Sequence, residues 1–271
     1  MEIGATDLWF VIAVPLAVVA LRLLHTRWLV ADGRAVEVPL CGGLEVLTVI
    51  FVWVASQALV TGLLWPLEAR FGQQALLLIT GVVNATIVGC LIWSLLGQRG
   101  QRMDTLGLRP TRMRNLALMP IFYCASFICV VVPVVFLWHV FLEASGVPIV
   151  RQELLKTYLE HVNAGNYVEV ALFAANAVVV APCIEELVFR GFFFGSCAVR
   201  WGGGTAAIVS SVIFALIHLS LSALFPLFAI GMILCYLRHR TGSLYISMLY
   251  HGLFNGGSLL LAILQERAAG T

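Results

Sequence analysis

Eight long runs of apolar residues occupy most of this sequence, and they constrain its fold more than any other feature. A transmembrane helix needs about 20 mostly apolar residues, and most of these runs reach or approach that length. They lie at residues 8–24, 44–65, 75–97, 116–142, 170–199, 205–224, 225–238 and 244–264. Only 11% of the residues are charged, compared with about 25% in soluble domains. The sequence therefore predicts an all-α, polytopic transmembrane helical bundle of about eight helices.

Breaks between the runs define the expected organisation. The fifth run is too long for one span, and we expect Pro182 to break it and begin a new helix. The polar stretch 145–169 predicts an interfacial helix. We therefore expect one membrane-embedded unit, with about four N-terminal helices in residues 1–144 and a second part in residues 145–271.

Basic residues between the runs predict the orientation, because cytoplasmic loops are enriched in Arg and Lys. The loop 98–115 contains five arginines and is predicted to be cytoplasmic. Alternation then puts Arg27 and Arg34 on the same side and both termini outside. Arg200, Arg238 and Arg240 flank helices and are expected to be ordinary cytoplasmic anchors. A net charge of +2 does not favour a nucleic-acid partner, and Glu2 and Asp7 favour a retained first helix over a signal peptide.

The group Glu185, Glu186 and Arg190 lies inside an apolar run and needs an explanation, because charge inside a membrane costs about 2.5–3.5 kcal/mol per residue. Glu186 and Arg190 are four residues apart, so they share a helix face and can neutralise each other. Glu185 points about 100° away from Glu186. An unpaired carboxylate of this kind suits a general base, although a purely structural ion-pair cluster would also explain the group.

Two histidines and an asparagine are the next polar residues within apolar runs. His218 follows Phe214 by one turn, and His251 and Asn255 are four residues apart on one helix face. A single histidine in such a position is more often a core residue than a catalytic one. Three helices with polar groups at membrane depth change this interpretation, because convergence keeps those groups away from lipid.

The order of these motifs is similar to that of a known family. The motifs are Glu-Glu-x-x-x-Arg at Glu185, Glu186 and Arg190, Phe-x-x-x-His at Phe214 and His218, and His-x-x-x-Asn at His251 and Asn255. This set resembles the CAAX-protease and bacteriocin-processing family (CPBP, or ABI) of intramembrane proteases, which is related to the type II CAAX prenyl endopeptidase. The resemblance covers about residues 168–260, which makes residues 145–271 the expected catalytic core.

The resemblance implies an intramembrane endopeptidase that cuts a peptide bond in a membrane-associated protein or peptide. Glu185 would activate the attacking water with the assistance of His218. His251 and Asn255 would stabilise the oxyanion. Glu186 and Arg190 would form a structural pair, and Phe214 would support the site.

The sequence does not decide whether a metal ion takes part in the reaction. Glu185, His218 and His251 could supply the three protein ligands of a catalytic zinc ion. No His-Glu-x-x-His helix is present, and we favour a glutamate-based mechanism without metal.

Two other classes of function stay open at this stage. A catalytically silent membrane scaffold or maturation factor would use the same polar groups only for helix packing. A small ion-coupled transporter would use Glu185 as an ion site, but the first four helices contain no charged pair that matches Glu185 and Glu186. The expected partners are membrane lipids and a membrane-anchored substrate, and the Arg-rich composition favours a prokaryotic cytoplasmic membrane.

Overall fold

The structure is a computed structural model that describes residues 14–23, 41–150 and 153–269. Within these ranges the regular elements are helices, with no β-strand. The longer helices are α1 Val14–Leu23, α2 Gly43–Leu64, α3 Gln73–Gln98, α4 Met113–Ala144, α5 Glu153–Asn163, α6 Tyr167–Leu216, α7 Leu224–Thr241 and α8 Leu244–Ala269. The predicted all-α bundle of about eight helices is confirmed.

Five of the described helices are long and apolar enough to cross a membrane: Gly43–Phe71, which extends α2, Gln73–Gln98, Met113–Ala144, Tyr167–Leu216 and Leu244–Ala268. Their outer faces carry large exposed apolar side chains such as Phe51, Trp93 and Phe136. Exposed apolar surface on this scale is typical of proteins that face lipid. The chain is an integral membrane protein.

The prediction that Pro182 breaks the fifth run is wrong, because α6 continues through it. A π-helical turn at Asn176–Val180 comes directly before the α-helical segment Ala181–Glu186. Proline cannot donate to the helix ladder and crowds the preceding turn. The wider π turn absorbs this defect without ending the helix. The same arrangement occurs in α4, where the π turn Phe127–Val131 precedes Pro133.

The long helix α6 changes direction later, at Gly202. This residue has φ +78°, a left-handed conformation that glycine adopts without strain. It divides α6 into a first arm, residues 167–201, and a second arm, residues 203–216. The second arm ends at Leu216, so the predicted helix 205–224 was too long, and His218 lies in the turn that follows.

The polar stretch 145–169 contains the amphipathic helix α5. Tyr158 and Leu159 of α5 are buried, and they belong to an apolar cluster that includes Phe173 of α6 and Leu259 of α8. This helix covers the part of the bundle where α6 begins.

Small residues allow α8 and α7 to approach α6 closely. A Cβ atom added at Gly252 of α8 would lie 2.6 Å from the carbonyl oxygen of Val178 in α6. One added at Gly231 of α7 would lie 2.8 Å from Cβ of Ser211. Small residues at such crossings are a general feature of membrane helix packing.

The hairpin of α2 and α3 packs against the first arm of α6. The carboxylate of Glu169 accepts a hydrogen bond from the backbone N–H of Gln74 at 3.2 Å, and so satisfies one donor at the N-terminus of α3. Further along, a Cβ at Gly81 would lie 2.9 Å from the side-chain oxygen of Asn176. These contacts set the spacing between α3 and α6.

Arg238 is not the exposed anchor that its place near a helix end predicts. Its side chain is only 1% exposed and donates to the backbone carbonyls of Leu106, at 3.2 Å, and Thr105, at 3.4 Å. The same loop is tied to the turn between α7 and α8, because the N–H of Leu244 donates to the carbonyl of Gly107 at 2.7 Å. The guanidinium is buried because an arginine-rich loop folds back over it and supplies acceptors.

Candidate active site

Glu186 and Arg190 form a fully buried ion pair. Nη1 of Arg190 donates to Oε1 of Glu186 at 2.8 Å, and both side chains are 0% exposed. The guanidinium also lies 4.3 Å from the ring centroid of Phe214 and donates to the carbonyl of Gly231 at 3.4 Å. Buried charges are tolerated when they are paired and hydrogen-bonded. The ion pair is therefore a fixed polar element of the site.

Both glutamates lie on a short α-helical segment between two π-helical ones. Ala181–Glu186 follows the π turn Asn176–Val180 and precedes the π-helical segment Leu187–Phe193. Such π insertions within α-helices are frequent at functional sites. They redirect side chains relative to the regular α-helical spacing, so the local backbone decides where Glu185 points.

Glu185 has a different environment from its neighbour. Its side chain is 16% exposed, whereas that of Glu186 is 0% exposed. Oε2 of Glu185, like that of Glu186, is buried without a hydrogen-bond partner in the described structure. Nε2 of His251 lies 3.7 Å from this oxygen, which is too far for a direct hydrogen bond. A carboxylate with a free oxygen beside an imidazole can accept a proton and pass it on.

His251 contacts both glutamates. Its Nδ1 lies 3.0 Å from Oε1 of Glu186, and the ring is almost completely buried. The carboxylate accepts, so Nδ1 carries the proton of this hydrogen bond, which leaves Nε2 directed at Glu185. The buried ion pair therefore fixes both the orientation and the tautomer of His251.

His218 lies near this group but does not join it through a hydrogen bond. Its Nδ1 donates to the carbonyl of Phe214 at 2.7 Å, which satisfies one acceptor at the end of α6. The Phe214 ring packs edge-on against both imidazoles, with centroid distances of 4.8 Å to His218 and 5.8 Å to His251.

The turn that carries His218 is held from outside. The indole N–H of Trp138 donates to the carbonyl of Leu221 at 2.9 Å, and the hydroxyl of Ser222 accepts from the N–H of Val150 at 3.0 Å. These bonds connect the turn to α4 and to the loop that follows it.

Asn255 joins α8 to the π turn of α6. Its Nδ2 donates to the carbonyl of Ala177 at 2.8 Å. The N–H of Ala181 donates to the carbonyl of Asn176, and Pro182 has no N–H. The helix therefore has one backbone donor too few at this point. Asn255 supplies one and retains a second N–H. In this structure its first contact therefore stabilises the helix crossing.

A cavity of about 510 Å³ borders Glu185. Its walls come from α2, α3, the first arm of α6 and Ile217, and its polar lining consists of Gln57, Thr61, Asn84, Asn176 and Glu185. Of the amide residues within apolar runs, only Asn255 was predicted from the sequence to belong to the site. Gln57, Asn84 and Asn176 interrupt apolar runs in the same way as His218, so the same signal could have revealed them.

The candidate metal ligands do not fit a preformed metal centre. Among the described residues, no group of three or more His, Cys, Asp or Glu side chains is arranged to hold a metal ion. Glu185 and His251 are adjacent, whereas the hydrogen bond of His218 goes to the backbone.

Fold and site together define an all-α integral membrane protein with a buried Glu–Arg–His site beside a cavity. Residues 167–257 match the family model of the type II CAAX prenyl endopeptidase Rce1-like proteins. All seven motif residues lie inside this segment, and the resemblance to the CPBP family is confirmed.

A curated protein of Bacillus subtilis (strain 168), "Putative membrane peptidase YdiL", is 31% identical over 77 residues. This match covers 28% of the chain and 32% of the relative, so the two proteins are aligned over about a third of that relative's length. No solved structure matches the chain. Both matches point in general terms to a membrane peptidase.

Proposed function

We propose that this protein is an intramembrane endopeptidase that hydrolyses a peptide bond in a membrane-associated protein or peptide, with Glu185 as the general base. The observation that carries the proposal is the position of Glu185, which lines a cavity and whose buried Oε2 has no hydrogen-bond partner and lies 3.7 Å from Nε2 of His251. The similarity of residues 167–257 to Rce1-like endopeptidases supports the same class of reaction.

The reaction follows from the chemistry of these groups. Glu185 takes a proton from a water molecule in the cavity, and the resulting hydroxide oxygen attacks the carbonyl carbon of the scissile bond. When the carbon–nitrogen bond breaks, Glu185 returns the proton to the leaving nitrogen. A general base of this kind contributes about 10²–10⁴-fold to the rate.

The remaining site residues stabilise negative charge on the carbonyl oxygen. His251 in its imidazolium form, which takes a proton on Nε2 from water in the cavity before the attack and keeps it throughout, donates to the oxyanion while Glu186 holds its other nitrogen. Asn255 offers its second N–H, and His218 assists the transfer of protons. A donor to an oxyanion contributes about 10²–10³-fold. Arg190 acts only through Glu186, and Phe214 supports both imidazoles by packing against them.

We also propose the orientation that the basic loops favour. The arginine-rich loop 98–115 lies in the cytoplasm of a prokaryotic cell, and both termini lie outside the cytoplasmic membrane. Residues 1–144 support the catalytic core in residues 145–271. Arg27 and Arg34, which contribute to this orientation, lie outside the described residues.

Comparative proteomics of membrane-protein termini tests the proposal. Cells with the wild-type protein, with Glu185→Gln and with Glu143→Gln are compared, since Glu143 is an exposed glutamate at the end of α4. We expect a set of new termini that Glu185→Gln removes and Glu143→Gln retains. Addition of a chelator separates a glutamate mechanism, which it leaves intact, from a metal-dependent one.

Unchanged termini in Glu185→Gln cells, with the variant folded in the membrane, would refute the proposal. That result would favour a scaffold, because helix packing does not require the carboxylate charge of Glu185.

A further inference from the structure

The amide side chains of α2 and α3 form an ordered chain of hydrogen bonds at the cavity wall. The hydroxyl of Ser56 donates to Oδ1 of Asn84 at 2.6 Å. Nδ2 of Asn84 donates to Oε1 of Gln57 at 2.7 Å and to the carbonyl of Trp53 at 3.3 Å. Asn84 is only 1% exposed and Ser56 8%, whereas Gln57 is half-buried and lines the cavity.

The direction of this chain is fixed by the backbone. The carbonyl of Trp53 only accepts, so the Asn84 atom that faces it has to be the nitrogen. The same nitrogen faces Gln57, which has to present its oxygen in return. The amide nitrogen of Gln57 is therefore left with two N–H donors, and no described group accepts from it.

We propose that Gln57 binds a backbone carbonyl oxygen of the substrate next to the scissile bond, with Asn84 and Ser56 as positioning residues. The inference rests on the proposed function and adds the substrate-binding wall of the same site. Gln57 and Asn84 lie outside residues 167–257, so the family match does not assign them a role.

The chemistry of the substrate explains why an oriented amide is needed. A peptide bond is accessible to attack only where the chain is not helical, so the carbonyls beside it lose their intrahelical partners. Unsatisfied backbone groups are costly inside a membrane. Gln57 supplies a donor on one wall of the cavity that Glu185 borders, and Asn176 adds a second amide from α6. A volume of about 510 Å³ is within the usual range for a ligand pocket.

The test uses the purified full-length protein in liposomes and a synthetic peptide that spans a cleavage site identified by the terminal proteomics. Gln57→Met keeps the size of the side chain and removes the donor. Because the lost hydrogen bond is made equally in the ground state and the transition state, KM should rise about 3- to 10-fold with kcat unchanged. Asn84→Leu should raise KM similarly, because Gln57 loses its fixed orientation.

Two controls separate binding from other effects. Gln98→Met makes the same change at an exposed position at the end of α3 and should leave KM unchanged. Binding of the labelled peptide to Glu185→Gln protein removes turnover from the measurement. The dissociation constant should rise by the same factor when Gln57→Met is added.

The outcomes distinguish the two proposals. An unchanged KM and an unchanged dissociation constant in Gln57→Met, with Glu185→Gln inactive, would overturn the inference and leave the proposed function standing. A fall in kcat alone would also overturn it. Cleavage of the peptide by Glu185→Gln would overturn both. If Gln57→Met does not fold, Asn84→Leu provides the same decision, and its thermal unfolding checks that this variant is folded.

Discussion

Gly252→Ala is the substitution for which the structure gives the sharpest expectation. The new Cβ would lie 2.6 Å from the carbonyl oxygen of Val178, whereas ordinary contacts begin at 3.4 Å. The obstacle is backbone, which cannot turn away, so α8 has to move from α6 by about 0.8 Å, the difference between these distances.

The cost of this movement can be estimated from three contributions. Overpacking a close contact costs about 1–3 kcal/mol. The hydrogen bond from Asn255 to Ala177 would stretch beyond a useful length, at about 0.6 kcal/mol for a bond between membrane helices. Alanine regains up to about 1 kcal/mol of helix propensity over glycine. The net expectation is a destabilisation of about 1–3 kcal/mol.

The loss of activity should be larger than the loss of stability alone would cause, because His251 directly precedes Gly252. A displacement of about 1 Å can cost about 100-fold in rate, and the contacts of His251 with Glu186 and Glu185 would both lengthen. We expect Glu185-dependent cleavage to drop by at least about 10-fold in protein that remains folded at the assay temperature.

Thermal unfolding in a mild detergent measures the effect on stability. A thiol-reactive dye reports unfolding because Cys197 and Cys235 are buried in the folded protein. Gly256→Ala is the matched control, since its Cβ would meet only the two Val178 methyl groups, at 3.6 and 3.9 Å. It should be neutral or slightly stabilising. Equal unfolding temperatures for the two variants would refute the argument from the α6–α8 crossing.

Two further predictions follow from the buried pair and from the turn after α6. Glu186→Gln leaves the buried Arg190 guanidinium without its counter-charge and should destabilise the protein by about 3–5 kcal/mol. Glu185→Gln should unfold at the wild-type temperature. Similar losses of stability in both variants would contradict this division of roles. Leu219 has φ +49° and is 94% exposed. Leu219→Gly should therefore raise the free energy of unfolding by up to about 1 kcal/mol. A lower unfolding temperature would mean that the Leu219 side chain has a packing role.

The apolar runs predicted α2, α3 and α8 to within a few residues, because the length of a membrane-spanning helix is set by the bilayer. The Glu186–Arg190 contact could also be anticipated, since residues four apart in a helix are neighbours. Both features depend on local sequence. The contact of Glu185 with His251 depends on another helix, and the catalytic roles of Glu185 and His218 remain proposals.

Features that depend on distant partners could not be inferred from the sequence. Arg238 is buried because carbonyls more than 130 residues earlier fold over it. The π turn before Pro182 persists partly because Asn255, 78 residues away from Ala177, supplies a donor. Gln57 and Asn84 are visible in the sequence as polar residues within apolar runs, but their place at the cavity depends on how α2 and α3 pack against α6.

The two π turns before Pro133 and Pro182 also have a geometric consequence for the bundle. Each behaves as one extra residue in a helix, and a single residue rotates everything beyond it by about 100°. The insertion at Asn176–Val180 therefore sets the direction in which the two glutamates point around the helix axis. It does so independently of which face of the earlier part of α6 contacts lipid. A relative that lacked the insertion would need a compensating shift elsewhere to aim its acidic pair at the same cavity.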